Sequence, residues 1–489
     1  MNLAPLRRLR AAANRLPLPR DSSVAVLPFV AFLLFFQLGH RAMYSSHEAR
    51  AAQNAQRMLD TGEWGLPVLF DGQVDLQKPP GYYWLAAMAG WFNGGIVTAF
   101  EARFPAALAG LLTVGMVFFF LRSEGRPRAA TIGAIVLGTA IHFTTIARTA
   151  RIDVPLTCAI TASLLAFFKA HTGGRIYAWC LMSAVAAAGG ILLKGPIALA
   201  LIGPVAVIWM ILCKPSHGRG WALYGGYCLG IATVLALAAP WFLWANHATQ
   251  GEFLRVFFWH HNVERFTGGS ATLASHPWWY YGPRFAADFL PWTPVLLWTA
   301  FRVLRSAESA PRLNRFAIVW FVAMFLVLSA SQFKRADYLL PLYPAAAIYI
   351  GCAAEHWLSR RLLVVVALAC LVGWQVHALA IEPAEQAKEE KRAFARMIRE
   401  LSPQEVMLFR TESHLLAFHL GRPIITRVEW HDLNDWLAAP GPHLVVMPPE
   451  YVYPAQQIVR SRKLAVAARL EDFTAGPPHR PLVLLRTQD

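Results

Sequence analysis

Long apolar runs alternate with short polar segments along the chain as far as residue 381. They lie near 24–40, 102–121, 129–147, 153–170, 176–193, 195–213, 222–244, 286–304, 315–331, 338–357 and 362–381. Each approaches the roughly 20 residues that an α-helix needs to cross a hydrocarbon core of about 30 Å. The pattern predicts a polytopic α-helical membrane protein of about 11–13 spans over residues 1–381. The stretch 80–93 is shorter, ends in Asn93-Gly94-Gly95, and reads as an interfacial helix. After Glu382 the pattern changes. A charged helix near 384–401 precedes short strand-like runs at Glu405–Phe409, Ile424–Arg427, His443–Met447 and Pro481–Leu485. Residues 382–489 are thus expected to form a soluble α/β domain. No internal repeat is visible.

Charge sets the orientation. Of the 489 residues, 56% are hydrophobic and only 15% charged, against roughly 25% charged in an average soluble protein. The net charge of +16 comes from arginines scattered between apolar runs, which argues against a nucleic-acid surface. The first 20 residues hold five arginines and no acid, so a retained signal anchor with a cytoplasmic amino terminus is expected. With 80–93 kept out of the span count, Arg122/Arg126/Arg128, Lys169/Arg175, Lys214/Arg219, Arg302/Arg305/Arg312/Arg315 and Arg360/Arg361 all fall in cytoplasmic loops. The outer face then receives 41–100, the turn near 148–153, the loop 245–285, the turn 332–338 and the carboxyl-terminal domain. The six cysteines lie in apolar runs without paired spacing and read as small buried hydrophobes.

The polar motifs gather on that expected outer face. Asp75-Leu76-Gln77-Lys78-Pro79-Pro80-Gly81-Tyr82-Tyr83-Trp84 reads as a helix that starts at the membrane surface. Two prolines suit its first turn, and Lys78 at its entrance is placed to meet a lipid phosphate. In Ser45-Ser46-His47-Glu48-Ala49-Arg50, Glu48 is a candidate base or metal ligand and Arg50 a phosphate contact. A solvated helix start with an acid favoured by the helix dipole fits the same pattern. Asp153 lies beside Arg148 and Arg151, which suggests a fixed carboxylate or a structural ion pair. His260 and Glu264 are four apart, so on a helix both would face one site. Lys334-Arg335-Ala336-Asp337-Tyr338 has a bland reading as a charged turn, and Lys194-Gly195-Pro196 as a helix break.

Together these segments resemble the polyprenyl-phosphate-sugar glycosyltransferases with the membrane-embedded GT-C fold. The closest likeness is to the bacterial branch with the lipid A aminoarabinose transferase and to relatives of the protein O-mannosyltransferases. The resemblance rests on His47-Glu48-Ala49-Arg50, Gly62-Glu63-Trp64, Lys78-Pro79-Pro80…Tyr83-Trp84, the Asp153 loop, the aromatic-His…Arg-Phe run at 257–266 and the Lys…Tyr-x-x-Pro turn at 334–341. It implies that Lys78 and Arg265 hold the donor phosphate, with Arg50 and Tyr338 near it. It also implies that Asp153 is a catalytic-site carboxylate and His260 a histidine associated with a divalent metal ion. The chain departs from the family pattern in two places. His47 stands where the family usually has an aspartate, the usual base candidate, which leaves Glu48, Asp75 or His47 itself to substitute. Gln77 stands where a glutamate is common, and a neutral amide is a poor partner for a divalent cation.

The expected activity is transfer of a sugar from a polyprenyl-phosphate donor to an extracytoplasmic lipid, glycan or protein acceptor, with inversion, by an enzyme of the bacterial inner membrane. Lys78, Arg50 and Arg265 would stabilise the leaving phosphate, and Asp153, Glu48 or His47 would serve as the base. A secondary transporter is the rival from another class, but the charges cluster on one face and no repeat is present. A non-catalytic lipid-binding protein is the other rival, because of His47 and Gln77.

Overall fold

The computed structural model describes residues 22–43, 45–213, 219–268, 276–305, 311–388, 390–401, 405–459, 461–472 and 480–488. The apolar runs fold as helices. They are α1 (Val26–Phe35), α4 (Ala99–Ser123), α5 (Pro127–Thr139), α6 (Ile141–Ala147), α7 (Asp153–Thr172), α8 (Ile176–Lys194), α9 (Ile197–Leu212), α10 (Gly220–Ala248), α12 (Thr293–Arg305), α13 (Arg312–Ala330), α14 (Tyr343–Ala354) and α15 (Arg360–Gln386). Between them lie α2 (Ser46–Thr61), α3 (Gly81–Phe92) and α11 (Tyr281–Asp288). Among the described residues six helices are long and apolar enough to cross a membrane, or seven with α5 and α6 taken as one span bent by 65°. The remaining expected spans are shorter helices, for local reasons. The run from 24 stops at Phe35 because Gln37 turns the chain with a φ of +56°. The run from 286 is interrupted at Pro291 and restarts at Thr293. The run from 338 opens with a 3₁₀ segment, Ala336–Leu342, that contains Pro341.

Small residues let the helices approach closely, as is usual between membrane helices. A Cβ on Gly351 of α14 would stand 2.7 Å from the Ala129 carbonyl of α5. The two helices share a core with α1, α4, α7 and α13 in which Phe118, Phe143, Trp320 and Tyr343 are fully buried.

The polar helices stack on one end of this bundle. Ser45 caps α2 by accepting from the His47 amide, and Gly62, with a φ of +72°, ends it. Helix α3 follows Pro79-Pro80 as the sequence predicts and packs on α2, α4 and α8. α4 starts with a capping box between Thr98 and Glu101.

The carboxyl-terminal domain has a five-stranded sheet in the order β2-β1-β3-β5-β4, with β1 (Val406–Phe409), β2 (Ile425–Arg427), β3 (Leu444–Met447), β4 (Lys463–Leu470) and β5 (Leu482–Gln488). The first three strands are parallel and the last two antiparallel. Helices α16 (Glu390–Leu401) and α17 (His414–Leu420) cover one face, while α18 (Trp430–Ala438) and α19 (Val452–Ile458) cover the other. The domain sits on α2: Gln53 donates to the His414 carbonyl at 2.9 Å, and Leu415 packs among Met43, Ala49, Tyr82 and Tyr83. α15 runs to Gln386, so the expected domain boundary at 382 falls inside a helix.

Gly81 is the tightest joint between α3 and the bundle. A Cβ there would meet the Leu192 carbonyl at 2.6 Å, and that backbone has no freedom to yield. Gly81→Ala is expected to destabilise the protein by about 1–3 kcal/mol, read as a lowered melting temperature in detergent; an unchanged melting temperature would contradict this packing.

Candidate active site

A cavity of about 310 Å³ opens where the polar helices meet the bundle. His47, Arg50, Asp75, Gln77, Lys78, Arg151, Asp153, Lys194, Arg335 and Tyr338 line it. The structure thus brings together His47, Arg50, Lys78, Asp153 and Tyr338 from segments spread over almost 300 residues of chain. Five basic side chains face two carboxylates in this lining, so an anion is the natural occupant.

Each group is held by a different device. Arg50, one turn into α2, meets Asp75 at 2.6 Å, and Asn54 donates to the other oxygen of that carboxylate at 3.0 Å. The Asp75 carboxylate also accepts from the Gln77 amide at 3.2 Å, which fixes the backbone leading to Lys78. Asp153 does not use either neighbouring arginine. Its partner is Lys194, 2.5 Å away at the end of α8, whose ammonium also lies 4.2 Å from the centre of the Tyr338 ring. Arg148 points away, donating to the carbonyls of Leu33 and Leu34. Arg151 pairs with Asp337, which also receives Arg335 at 3.4 Å and meets His142 at 3.2 Å. Burial alone would push the Asp337 carboxyl up. The His142 hydrogen bond and the Arg151 and Arg335 charges outweigh it and hold the group well below the usual carboxylate range.

His47 lies at the rim. Arg335 donates from Nη1 to its Nε2 at 3.1 Å, so the ring proton sits on Nδ1 and the basic lone pair is occupied. His47 is open to solvent on one side, but crowding of the ring by the cavity wall, then the Arg151 and Arg335 charges, pull its pKa from 6.5 down to about 4.

Glu48 is placed elsewhere. It is 1% exposed and lies behind the cavity wall, accepting from Arg103 Nε at 2.8 Å, Arg41 at 3.2 Å and the Ala150 amide at 3.0 Å. Burial favours its neutral form, but the Arg103 and Arg41 charges prevail and hold the carboxyl below its ordinary value. Its contacts suit a structural anchor rather than a group that meets substrate.

His260 and Glu264 do pair, at 2.9 Å, but His260 is half-exposed and outside the cavity lining. The segment Leu254–Val263 is wound as a π-helix, and its wider turn puts His261 and Asn262, rather than His260, on a neighbouring apolar cleft and none of the three on this cavity. Among the described residues no three His, Cys, Asp or Glu side chains converge as metal ligands. His260 with one carboxylate does not make a metal site, and Gln77 adds no charge to it. Arg265 falls on the short helix Glu264–Thr267, and its side chain lies outside the described residues.

Arg151, Lys194, Arg335 and Asp337 join the site without belonging to the motifs that mark it in the sequence. Their signal was present as charges at the ends of apolar runs, the positions that in membrane helices mark functional cavities.

An apolar cleft leads from the polar cavity between α9 and α13. It has a volume of about 130 Å³ and walls of Leu156, Ile197, Leu201, Val327, Leu328 and Phe333. Lys78, Asp153, Lys194 and Tyr338 line both spaces, so they stand at the junction of anionic and apolar volumes.

The family described as Dolichyl-phosphate-mannose-protein mannosyltransferase matches residues 77–244. An uncharacterized protein of Aquifex aeolicus is 30% identical over 357 residues, covering 73% of this chain and 68% of that protein. The undecaprenyl phosphate-alpha-4-amino-4-deoxy-L-arabinose arabinosyl transferase of Pseudomonas aeruginosa strain PAO1 is 30% identical over 344 residues, covering 69% of this chain. Transferase 1 of the same name from Pseudomonas fluorescens strain Pf-5 is 32% identical over 337 residues, covering 66% of this chain. The matched regions span 60% and 58% of those two transferases. The crystal structure of ArnT from Cupriavidus metallidurans bound to undecaprenyl phosphate superposes with a TM-score of 0.79 at 20% identity, over 95% of this chain and 98% of that one.

Two measurements test this geometry. Arg103→Met leaves the buried Glu48 charge only Arg41 and the Ala150 amide and orphans the Leu38, Arg41 and Ala42 carbonyls, and is expected to cost about 3–5 kcal/mol, visible as loss of monodisperse protein on gel filtration; a variant as stable as the parent would contradict the anchoring role. The His47 ring, followed by NMR, is expected to titrate near pH 4 and stay flat from 5.5 to 8, with Arg335→Gln moving its midpoint upward. Because the folded pKa lies below the unfolded value of 6.5, the stabilisation from this ring is present above about pH 6.5 and lost as pH falls toward 4. A midpoint near 6.5 in the parent would refute the Arg335 contact.

Proposed function

The chain belongs to the polyprenyl-phosphate-sugar glycosyltransferases of the membrane-embedded GT-C fold, and from that premise we propose that it transfers a sugar from a polyprenyl-phosphate donor to an acceptor outside the cytoplasm. The observation that carries this reading is the junction at Lys78, Asp153, Lys194 and Tyr338, where a cationic cavity opens into an apolar cleft. A polyprenyl phosphate has that shape and charge distribution: an isoprenoid tail for the cleft and an anionic head for the cavity. The pentose chemistry named for its relatives makes an amino-pentose the first donor to try. The positive-inside pattern supports an outward-facing cavity in the inner membrane of a bacterium, with the amino terminus in the cytoplasm.

In the proposed reaction an acceptor oxygen attacks the anomeric carbon opposite the phosphate. The carbon–oxygen bond to phosphate breaks, and the electron pair leaves with the polyprenyl phosphate, inverting the centre. Lys78 and Arg50, with Arg265 as the family pattern implies, stabilise the charge gathering on that phosphate, and Tyr338 positions it. An acceptor hydroxyl would give its proton to Asp153, whose carboxylate Lys194 holds in place. His47 has its lone pair engaged by Arg335 and is unsuited to that task. An acceptor that arrives already ionised, such as a phosphate on a lipid, needs no base and draws on the excess of arginine around Arg151 and Arg335.

Lys78→Ala is expected to lower transfer about 100- to 1,000-fold with the melting temperature retained. Release of polyprenyl phosphate from a radiolabelled donor is the readout. It also separates the alternatives, because a transporter moves the donor intact and a binder retains it. Full activity in the folded variant would refute the phosphate role.

A further inference from the structure

The carboxyl-terminal domain has a crevice of its own. β1 is central among the three parallel strands: its onward connection through α17 runs to β2, and the next, through α18, crosses back to β3 on the other face. Chain connections that diverge this way leave an opening beyond the carboxyl ends of the strands, the usual ligand position in open α/β sheets. A cavity of about 460 Å³ lies there, lined by Arg410 and Glu412 after β1, Thr426 and Glu429 at β2, Tyr451 after β3, and Gln73 from the loop before α3.

Arg410 is tied to its surroundings by several contacts in this crevice. Its backbone takes a φ of +53°, a left-handed conformation uncommon outside glycine. Its Nε donates to the Val428 carbonyl at 2.6 Å, and its guanidinium lies 4.9 Å from the Trp430 ring and 5.3 Å from Tyr451. The chain thus keeps an unfavourable backbone where it displays a cation stacked on aromatic rings, a combination that clusters at ligand sites. Against this one cation stand two carboxylates, Glu412 and Glu429. The crevice therefore disfavours anions, in contrast to the cationic cavity in the membrane domain. Carboxylate, amide and threonine acceptors beside the Arg410 donors suit a polyhydroxylated ligand, whose hydroxyls need both acceptors and donors.

We propose that this crevice binds the saccharide part of the acceptor, a neutral or amino-substituted sugar, while the reacting group enters the cavity at Lys78. The proposal rests on the transferase reading, and the chain path supports it: Gln73 lines the crevice, whereas Asp75, Gln77 and Lys78, two to five residues on, line the cavity. At roughly 3.5 Å per residue, the two are within about 18 Å along that loop.

Full-length protein in nanodiscs, without donor, is titrated with glucosamine tetrasaccharide and with cellotetraose, and binding is read by saturation-transfer NMR. Saturable binding of either sugar is expected, weakened about tenfold by Glu412→Gln/Glu429→Gln. Arg410→Gly, which relieves the left-handed backbone and removes the cation, is expected to bind as weakly while keeping the melting temperature. Failure of both sugars to bind, binding unaffected by these substitutions, or preferential binding of a sulfated tetrasaccharide would overturn the proposal. The two readings fail separately: binding without any transfer would sink the enzyme reading alone, and transfer whose acceptor KM ignores the three substitutions would sink the crevice alone.

Discussion

A buried carboxylate with almost no access to water organises the end of the helical bundle on which the polar helices stack. Glu48 ties Arg103 of the second apolar run to Arg41 and to the Ala150 amide, and Arg103 in turn donates to the carbonyls of Leu38, Arg41 and Ala42. Desolvating such a cluster is costly, and in many proteins a hydrophobic replacement would serve stability as well. Here the hydrogen bonds also satisfy backbone carbonyls just after α1, where the chain leaves the bundle. Four separate stretches are thereby fixed in register, and the cavity walls are built on those stretches.

The cavity inherits its character from that frame. Its cations do not neutralise one another's partners at random. Asp75 takes Arg50, Asp153 takes Lys194, and Asp337 takes Arg151 with help from Arg335 and His142. Each pairing holds a long flexible side chain at a defined position around a space that still carries an excess of positive charge. A donor phosphate arriving there would meet donors already oriented, which is the condition for stabilising charge that appears only as a bond breaks.

Much of this was legible in the residues. Every apolar run holds helix, although 129–147 breaks into α5 and α6 and 286–304 takes in the end of α11 and then α12; the double proline marks the start of α3, and four of the five strands lie where alternation and β-branched residues predict them. β4 escaped notice because Lys463-Leu464-Ala465-Val466-Ala467-Ala468-Arg469-Leu470 is rich in helix formers. Antiparallel pairing with β5 overrides that preference. Helices are shorter than the apolar runs where a proline or a left-handed residue cuts the run. Within the site, Lys78, Asp153, Arg50, His47 and Tyr338 were readable from motif and position. What could not be read was the pairing. Sequence proximity suggested Arg148 and Arg151 for Asp153, whereas tertiary packing supplied Lys194 from 41 positions away. A π-wound turn likewise leaves His260 off both spaces and places His261 on the apolar cleft, a shift of one residue that no periodicity announces.

Gln53 links the two halves of the molecule. Its amide nitrogen holds the His414 carbonyl in the carboxyl-terminal domain, and its carbonyl oxygen receives the Phe70 amide at 3.4 Å, whose ring is buried under that domain's sheet. One turn earlier on the same helix stands Arg50. The domain and the arginine therefore ride on a single rigid rod. A fragment cut near residue 390 would retain every membrane helix yet lose the clamp that sets the pitch of that rod.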